Sequence, residues 1–262
     1  MSRRRVVLIG TGIGIDGPED IARDAAAAFA AEGAEVAVVQ ASDERARESV
    51  AAVEAAGGTA KSYINDPRDP QAIFAIAEQI GEDWPSVDTL VTHHFAADFG
   101  RLDDITVERF EETVRVNLTG AFAATKAFLP LLRRGERASI VHAGSIDGQF
   151  GNPNVLSYSA SKGGVHALVH VLAAELAAEG IRVNGIARAG STAMPLNAAV
   201  VAELGRATPL RAVAEPSEYA AVVLFLASDA ASYMTGAILP VDGGRTAATP
   251  GCSPGYQGYV HA

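Results

Sequence analysis

Cysteine is almost missing from this sequence. Cys252 is the one thiol in 262 residues, so no disulfide can form within the chain and no paired-thiol redox chemistry can be argued. Basic charge is scarce as well: 21 Lys and Arg face 31 Asp and Glu, a net charge of −10, and the longest basic run is Arg3–Arg5. Nucleic acid and anionic membrane both need a clustered positive surface, so neither is expected as a partner. Long apolar runs are absent too, and nothing approaches the roughly 20 residues of a membrane span. After "SRRR" the run "VVLI" stops at Gly10, short of the roughly 7–15 residues of an export signal's apolar region. It reads as a strand led by solvated arginines, and the expected compartment is the cytoplasm. What remains is 48% hydrophobic residues, ample for one core.

Short β-rich runs fall at 5–9, 35–40, 60–65, 89–92, 138–143, 182–187 and 237–241, separated by helical patterns at 18–32, 43–56, 69–81, 107–133, 156–179 and 216–227. Strands divided by helix-length segments imply βαβ crossovers and a parallel sheet covered on both faces. The expected fold is therefore a single α/β domain, doubly wound around about seven parallel strands. Residues 190–214 escape the alternation and are expected to form a substrate lid with one or two short helices. The tail 245–262, "RTAATPGCSPGYQGYVHA", is too rich in Gly and Pro to be regular and is free to lie across a neighbouring subunit.

The sharpest chemical signal is "YSASK", Tyr158 to Lys162, near the start of a predicted helix. Residues four apart share a helix face, so phenol and ammonium point into one space. A phenol is a poor base at neutrality, with a reference pKa near about 10. A cation beside it favours phenolate and brings proton exchange with an alcohol or ketone toward neutral pH. Ser145 in "IVHAGSI" ends the fifth predicted major strand, and ligands of open α/β sheets sit at the carboxyl ends of strands. Its hydroxyl can bond a substrate oxygen while Tyr158 moves the proton. Asn117 in "VRVNLTG" stands inside a long helical pattern, where Asn has mediocre propensity and is able to kink the helix or hold a water.

Asn117, Ser145, Tyr158 and Lys162 together, from "VVLIG" to "GAILPVDGG", resemble the short-chain dehydrogenase/reductase family. The resemblance covers nearly the whole chain and implies a Rossmann-like fold, NAD(H) or NADP(H), and an Asn-Ser-Tyr-Lys tetrad. Tyr158 would be the acid/base and Ser145 the carbonyl-orienting residue. Lys162 would hold the nicotinamide ribose and lower the Tyr158 pKa, and Asn117 would anchor a relay water. Asp66 in "NDPRD" matches the family's aspartate near the adenine, and Val241 to Gly244 its C-terminal "VDGG". A homotetramer is also implied.

Several positions depart from the family. Gln40 stands where an acid commonly binds the adenosine ribose, and Ser42 and Arg45 lie close enough in sequence to meet a 2′-phosphate, so the lean is slightly towards NADP(H). The family's "NNAG" becomes "THHF", Thr92 to Phe95, and its "PG" becomes Arg188-Ala189. His93 and His94 are expected either to line the pocket and titrate near neutrality or to pack locally. Zinc is not expected, because Asp98 adds too little to them. His166 and His170 continue the Tyr158–Lys162 stripe and read as a helix face at a subunit contact. The loop "GTGIGIDGPED" supplies Gly10, Gly12, Gly14 and Ile15 as cofactor contacts alongside Gln40, Asp66, Thr92, Lys162 and Arg188. It is longer than usual, with Pro18 suited to the first helical turn. Asp16 or Gly17 would be the N-cap, and Glu19 and Asp20 would compete with a pyrophosphate for the helix dipole.

The expected substrate is an uncharged, hydrophobic or cyclic ketone or its secondary alcohol, lined by His94, Phe95, Gln149, Phe150, Val155 and Met194. Two other readings keep the same residues: non-redox acid/base chemistry of the halohydrin dehalogenase kind, and a dinucleotide sensor. The dehalogenases use Arg where this chain has Lys162, and a sensor has no use for Tyr158.

Overall fold

The computed structural model describes residues 4–13, 21–194 and 197–247. Its main sheet has seven parallel strands: β1 (Arg5–Gly10), β3 (Glu35–Gln40), β4 (Ala60–Ile64), β5 (Thr89–Thr92), β7 (Ser139–Ser145), β8 (Arg182–Arg188) and β9 (Ile238–Val241). They lie in the order β4-β3-β1-β5-β7-β8-β9. From β1 the chain winds outward through β3 and β4, then returns to place β5 on the other flank, so the topological switch point is between β1 and β5. A crevice at the carboxyl ends of the strands is the ligand site of such a sheet. Two further short strands, β2 (Gly12–Ile13) and β6 (Phe95–Ala96), pair in parallel over that point.

The alternation of strand side chains divides the core. Val6, Leu8, Val91, Val141 and Ile186 pack against α1 (Ile21–Ala31), α2 (Asp43–Ala55) and α8 (Pro216–Ala227). Val7, Ile9, Leu90, Ile140 and Val183 pack against α3 (Ala72–Asp83), α5 (Gly120–Leu132) and α6 (Leu156–Leu176). Thr92, His142 and Gly144 follow Leu90 and Ile140 at steps of two. They bring polarity onto the α5/α6 face.

Two expectations need adjusting. The helical pattern at 107–133 is interrupted: α4 (Val107–Val114) runs into a π turn at Arg115–Thr119 before α5 begins. The pattern at 69–81 begins late, because the Asp69 carboxylate accepts from the Gln71 and Ala72 backbone N–H groups and so holds a turn ahead of α3. Among the described residues of 190–214 one helix forms, within the one or two expected: α7 (Ala198–Ala207), N-capped by the Asn197 side chain, which accepts from Val200 N. Gly14, Ile15, Asp16, Gly17, Pro18, Glu19, Asp20 and Cys252 lie outside the described residues, as do the expectations placed on them. No helix among the described residues is long and apolar enough to cross a membrane.

Candidate active site

β7 delivers Ser145 to the carboxyl edge of the sheet, and a 3-10 turn at Ile146–Gly148 leads away from it. Ser145 Oγ accepts from Asp147 N at 3.1 Å and donates to the carbonyl of Arg188 at 3.4 Å, so the hydroxyl is fixed between β7 and β8. α6 returns across this turn. A Cβ on Gly148 would lie 2.6 Å from the carbonyl carbon of Lys162 and 2.8 Å from Gly163 N. Only a glycine lets helix and turn approach so closely.

Tyr158 lies in the first turn of α6 and Lys162 in the next, with relative exposures of 6% and 1%. Lys162 Nζ is 5.7 Å from the Tyr158 ring centroid and donates to the carbonyls of His94 (2.8 Å) and Ala143 (3.0 Å). The Phe95 ring packs at 5.5 Å on Tyr158, and the Arg188 guanidinium carbon lies 5.5 Å from the Phe95 ring centroid. Asn117 stands in the π turn. Its Oδ1 accepts from Ala96 N at 2.7 Å, and its Nδ2 donates to Ala96 O at 2.8 Å and Ser161 Oγ at 2.9 Å. The side chain thus clamps β6 to α6, and the widened turn is what lets it reach across. Asn117→Leu is expected to lower the melting temperature by several degrees, since it strands the Ala96 backbone pair in a buried site at about 1–3 kcal/mol.

The cofactor-side residues divide. Gly10 ends β1, and Gly12 runs so close to Phe95 that a Cβ would stand 2.8 Å from its carbonyl oxygen. The "THHF" segment stays laced to β1, with His93 N donating to Ile9 O and Phe95 N to Thr11 O. Thr92 turns its Oγ1 to His142 Nδ1 at 2.7 Å, into the α5/α6 face. Gln40 donates through Nε2 to Ser49 Oγ at 2.9 Å, towards α2. Asp66 is exposed and accepts from Arg68 N at 2.9 Å. Ser42 caps α2, accepting from Arg45 N. Thr92 Oγ1 and Gln40 Nε2 are therefore committed to neighbouring protein groups.

A nicotinamide dinucleotide nonetheless fits the crevice. His93 Nε2 and Asn65 Oδ1 are buried at the strand ends with no hydrogen-bond partner among the described residues, which calls for a polar occupant. Lys162 and Arg188 bring positive charge to the same edge, and Gly12 keeps the backbone bare. Lys162 would hold a ribose, the bare backbone at Gly12 would leave room for the phosphates, and Arg188 would stand at the turn that meets the nicotinamide.

His93 and His94 do not titrate near neutrality. Burial first, then the charges of Arg188 and Lys162, hold His93 far below the usual histidine range. Burial and Lys162 bring His94 down to about 3. His94 Nδ1 and Thr11 Oγ1 share a hydrogen bond at 2.7 Å and the ring lies on Gly120, so His94 is packed inside and does not line an open pocket. Of the stripe beyond Lys162, His166 is buried and packs within the protomer, while His170 is exposed. Of the substrate-side residues, Phe95 meets Tyr158. Val155 precedes α6 and bridges to Gly100, Met194 packs over Gly190, and Gln149 and Phe150 are exposed beyond the turn. Asp98 is ion-paired with Arg109, and no group of three potential metal ligands occurs among the described residues.

Sequence reasoning missed His142, although "IVHAGS" carried the signal: a histidine at an inward position of a strand buried on both faces. It is pushed down to about 4 by burial and then by Lys162, and His166 behaves the same way. These depressed values make stability depend on pH. Below about 6.5 the unfolded chain binds protons that the fold refuses, so stability held above that point drains as pH falls towards 4. Melting curves between roughly pH 7 and 5 should show a smaller loss for His142→Asn than for the wild type. Equal losses would mean that His142 is protonated within the fold.

A family model described as enoyl-(acyl carrier protein) reductase matches residues 14–246. The chain is 41% identical over 249 residues to galactitol 2-dehydrogenase (L-tagatose-forming) of Cereibacter sphaeroides, covering 90% of this chain and 92% of that one. It is 34% identical over 221 residues to the 3-oxoacyl-[acyl-carrier-protein] reductase of Thermotoga maritima, covering 82% and 89%. A solved structure of a putative short-chain alcohol dehydrogenase from Sinorhizobium meliloti 1021 superposes with a TM-score of 0.85 at 30% identity, covering 95% and 98%.

Proposed function

The chain belongs to the short-chain dehydrogenase/reductase family of NAD(P)-dependent oxidoreductases, and on that premise we propose that it interconverts an uncharged, hydrophobic or cyclic ketone and its secondary alcohol. The observation that carries this reading is the meeting of Tyr158, Lys162 and Ser145 at one buried edge of the sheet, fixed by the Gly148 contact. The bound dinucleotide would supply or accept the hydride. Tyr158 exchanges a proton with the substrate oxygen, Ser145 Oγ orients that oxygen, and Lys162 holds positive charge beside the phenol. Phe95 supplies an apolar wall against Tyr158. Phe99 and Phe150 expose rings on the two segments that meet at Gly100 and Val155, an apolar approach suited to a hydrocarbon ring.

Residues 190–214 serve as the lid in this reading. Its base is tied down by the Tyr219 hydroxyl, which donates to the carbonyls of Ala189 and Gly190. A homotetramer would cover the apolar Phe122 on α5 and Val171 on α6, and light scattering on the eluted protein tests that assembly.

Fluorescence titration with NADH and NADPH, followed by a panel of cyclic and acyclic ketones, tests the function. Binding of either dinucleotide is expected below millimolar concentration. NADPH should bind about threefold more tightly, a preference that Arg45→Ala removes if Arg45 meets the 2′-phosphate. Failure of both dinucleotides to bind would end the oxidoreductase reading for this site.

A further inference from the structure

Two of the chain's departures from its family touch each other. Phe95 ends the "THHF" segment where the family has glycine, and Arg188 ends β8 where the family has proline. The Arg188 guanidinium carbon lies 5.5 Å from the Phe95 ring centroid, and that centroid lies 5.5 Å from the Tyr158 ring. Arg188 is 2% exposed. Its Nη1 donates to the Ala189 carbonyl at 3.3 Å, and its own carbonyl accepts from Ser145 Oγ. The guanidinium is thus built into the edge that holds Tyr158, Ser145 and Lys162. Glycine and proline bring no charge to these places; this pair brings a fixed cation against an aromatic ring.

The charge of the edge follows from its members. Lys162 supplies a second buried cation, bonded to two carbonyls. His93 and His94 add none, because burial above all holds both rings neutral. After burial, Arg188 is the strongest influence on His93, ahead of Lys162, so the guanidinium's field reaches the crevice. Asp147, two residues after Ser145, accepts from Asn152 Nδ2 at 3.0 Å. Asp242 follows the β9 partner of Arg188 and accepts from the Gly244 and Thr246 N–H groups. Asp98 is paired with Arg109.

A nicotinamide ring carries one positive charge when oxidised and none when it holds a hydride. Hydride passes to or from the carbon whose oxygen Tyr158 and Ser145 hold, so that end of the dinucleotide belongs at this edge. Like charges meeting in a site of low dielectric oppose binding, and discrimination between two ligands can rest on one such repulsive element.

We propose that Arg188, seated against Phe95, makes this site select the reduced dinucleotide over the oxidised one. The proposal rests on the oxidoreductase reading and names the direction in which the site is poised. The equilibrium between ketone and alcohol is untouched, since no catalyst moves it. What changes is which form of the dinucleotide occupies the protein. With both forms at equal concentration the chain stands loaded for reduction, in which hydride goes to the carbonyl carbon and the Tyr158 proton to its oxygen. Release of the oxidised form then follows readily. Arg188 is a specificity-determining residue here and moves no proton, because a guanidinium stays charged.

Calorimetric binding of the oxidised and reduced forms to ligand-free protein decides it. The pair is NADP+ and NADPH or NAD+ and NADH, whichever binds more tightly, with an ADP-ribose fragment carrying the same 2′ group as reference. The wild type should bind the reduced form at least about tenfold more tightly, which raises the potential of the bound couple by about 30 mV. Arg188→Met keeps the stem and removes the charge. It should bring the two affinities within about threefold of each other, chiefly by tightening the oxidised form. Arg188→Lys should retain most of the ratio, and the fragment's Kd should stay within about twofold throughout.

Equal affinity for the two forms in the wild type overturns the proposal and leaves the oxidoreductase reading standing. A loss in Arg188→Met shared by both forms and by the fragment overturns it too, and would make Arg188 a phosphate ligand. A ratio unmoved by Arg188→Met removes Arg188 from the selection. Should that variant fail to fold, Phe95→Leu takes its place, since it removes the ring that seats the guanidinium and should shrink the same ratio. If neither form binds, the oxidoreductase reading and the selection fall together.

Discussion

Tyr158→Phe is expected to cut ketone reduction by roughly a hundred- to ten-thousandfold, the range of a lost general acid, while NADH and NADPH bind as before. The expectation follows from how the phenol is held. Its ring is fixed by Phe95 at 5.5 Å and by the first turn of α6, and neither constraint involves the hydroxyl. Phenylalanine should therefore occupy the same place, and the loss should fall on the chemical step. Single-turnover measurements separate the cases: a slowed step at unchanged Kd supports the proton-donor role, whereas a raised Kd with an intact step would make Tyr158 a binding residue. Intact reduction in Tyr158→Phe would remove the role altogether. Ser145→Ala should cost less, since Ser145 positions an oxygen that Tyr158 still protonates.

Much of this fold is legible because parallel α/β order depends on alternation. The strand runs at 35–40 and 89–92 coincide with β3 and β5, since apolar β-branched runs bounded by turn residues have few other uses. Asn117 was legible as a residue able to kink its helix, but the form of the break, a π turn at Arg115–Thr119, was not. It depends on Asn117 finding the backbone of Ala96, 21 residues earlier in the chain, and helix propensity carries no such information. The same limit explains Thr92 and Gln40. Their positions at the strand ends were readable, but the hydroxyl and amide turn to His142 and Ser49, partners chosen by packing. His94 shows the limit from the other side: a histidine beside a cofactor crevice suggests a titrating wall, and only its contact with Gly120 reveals a buried, neutral ring.

Gly148 joins these levels, and Gly148→Ala is the substitution expected to damage both stability and catalysis. The 3-10 turn after Ser145 meets α6 through backbone atoms on both sides: Gly148 against Lys162 and Gly163, and Gly163 against the Gly148 carbonyl oxygen at 3.2 Å from its own Cβ position. A methyl group 2.6 Å from a backbone carbon has no flexible neighbour to displace, so helix and turn must separate. Overpacking of this kind costs about 1–3 kcal/mol, or roughly 2–10 °C in melting temperature for a domain of this size. The separation moves Tyr158 relative to Ser145, and a shift near 1 Å can cost about a hundredfold in rate. Gly180→Ala serves as the comparison: Gly180 has φ +74° with nothing near its Cβ position, far along the chain from the site. It should lose stability through backbone strain alone and keep its turnover per folded molecule. If Gly148→Ala also kept full turnover per folded molecule, the contact would be a packing feature only, and the Ser145–Tyr158 spacing would have to be set elsewhere in α6.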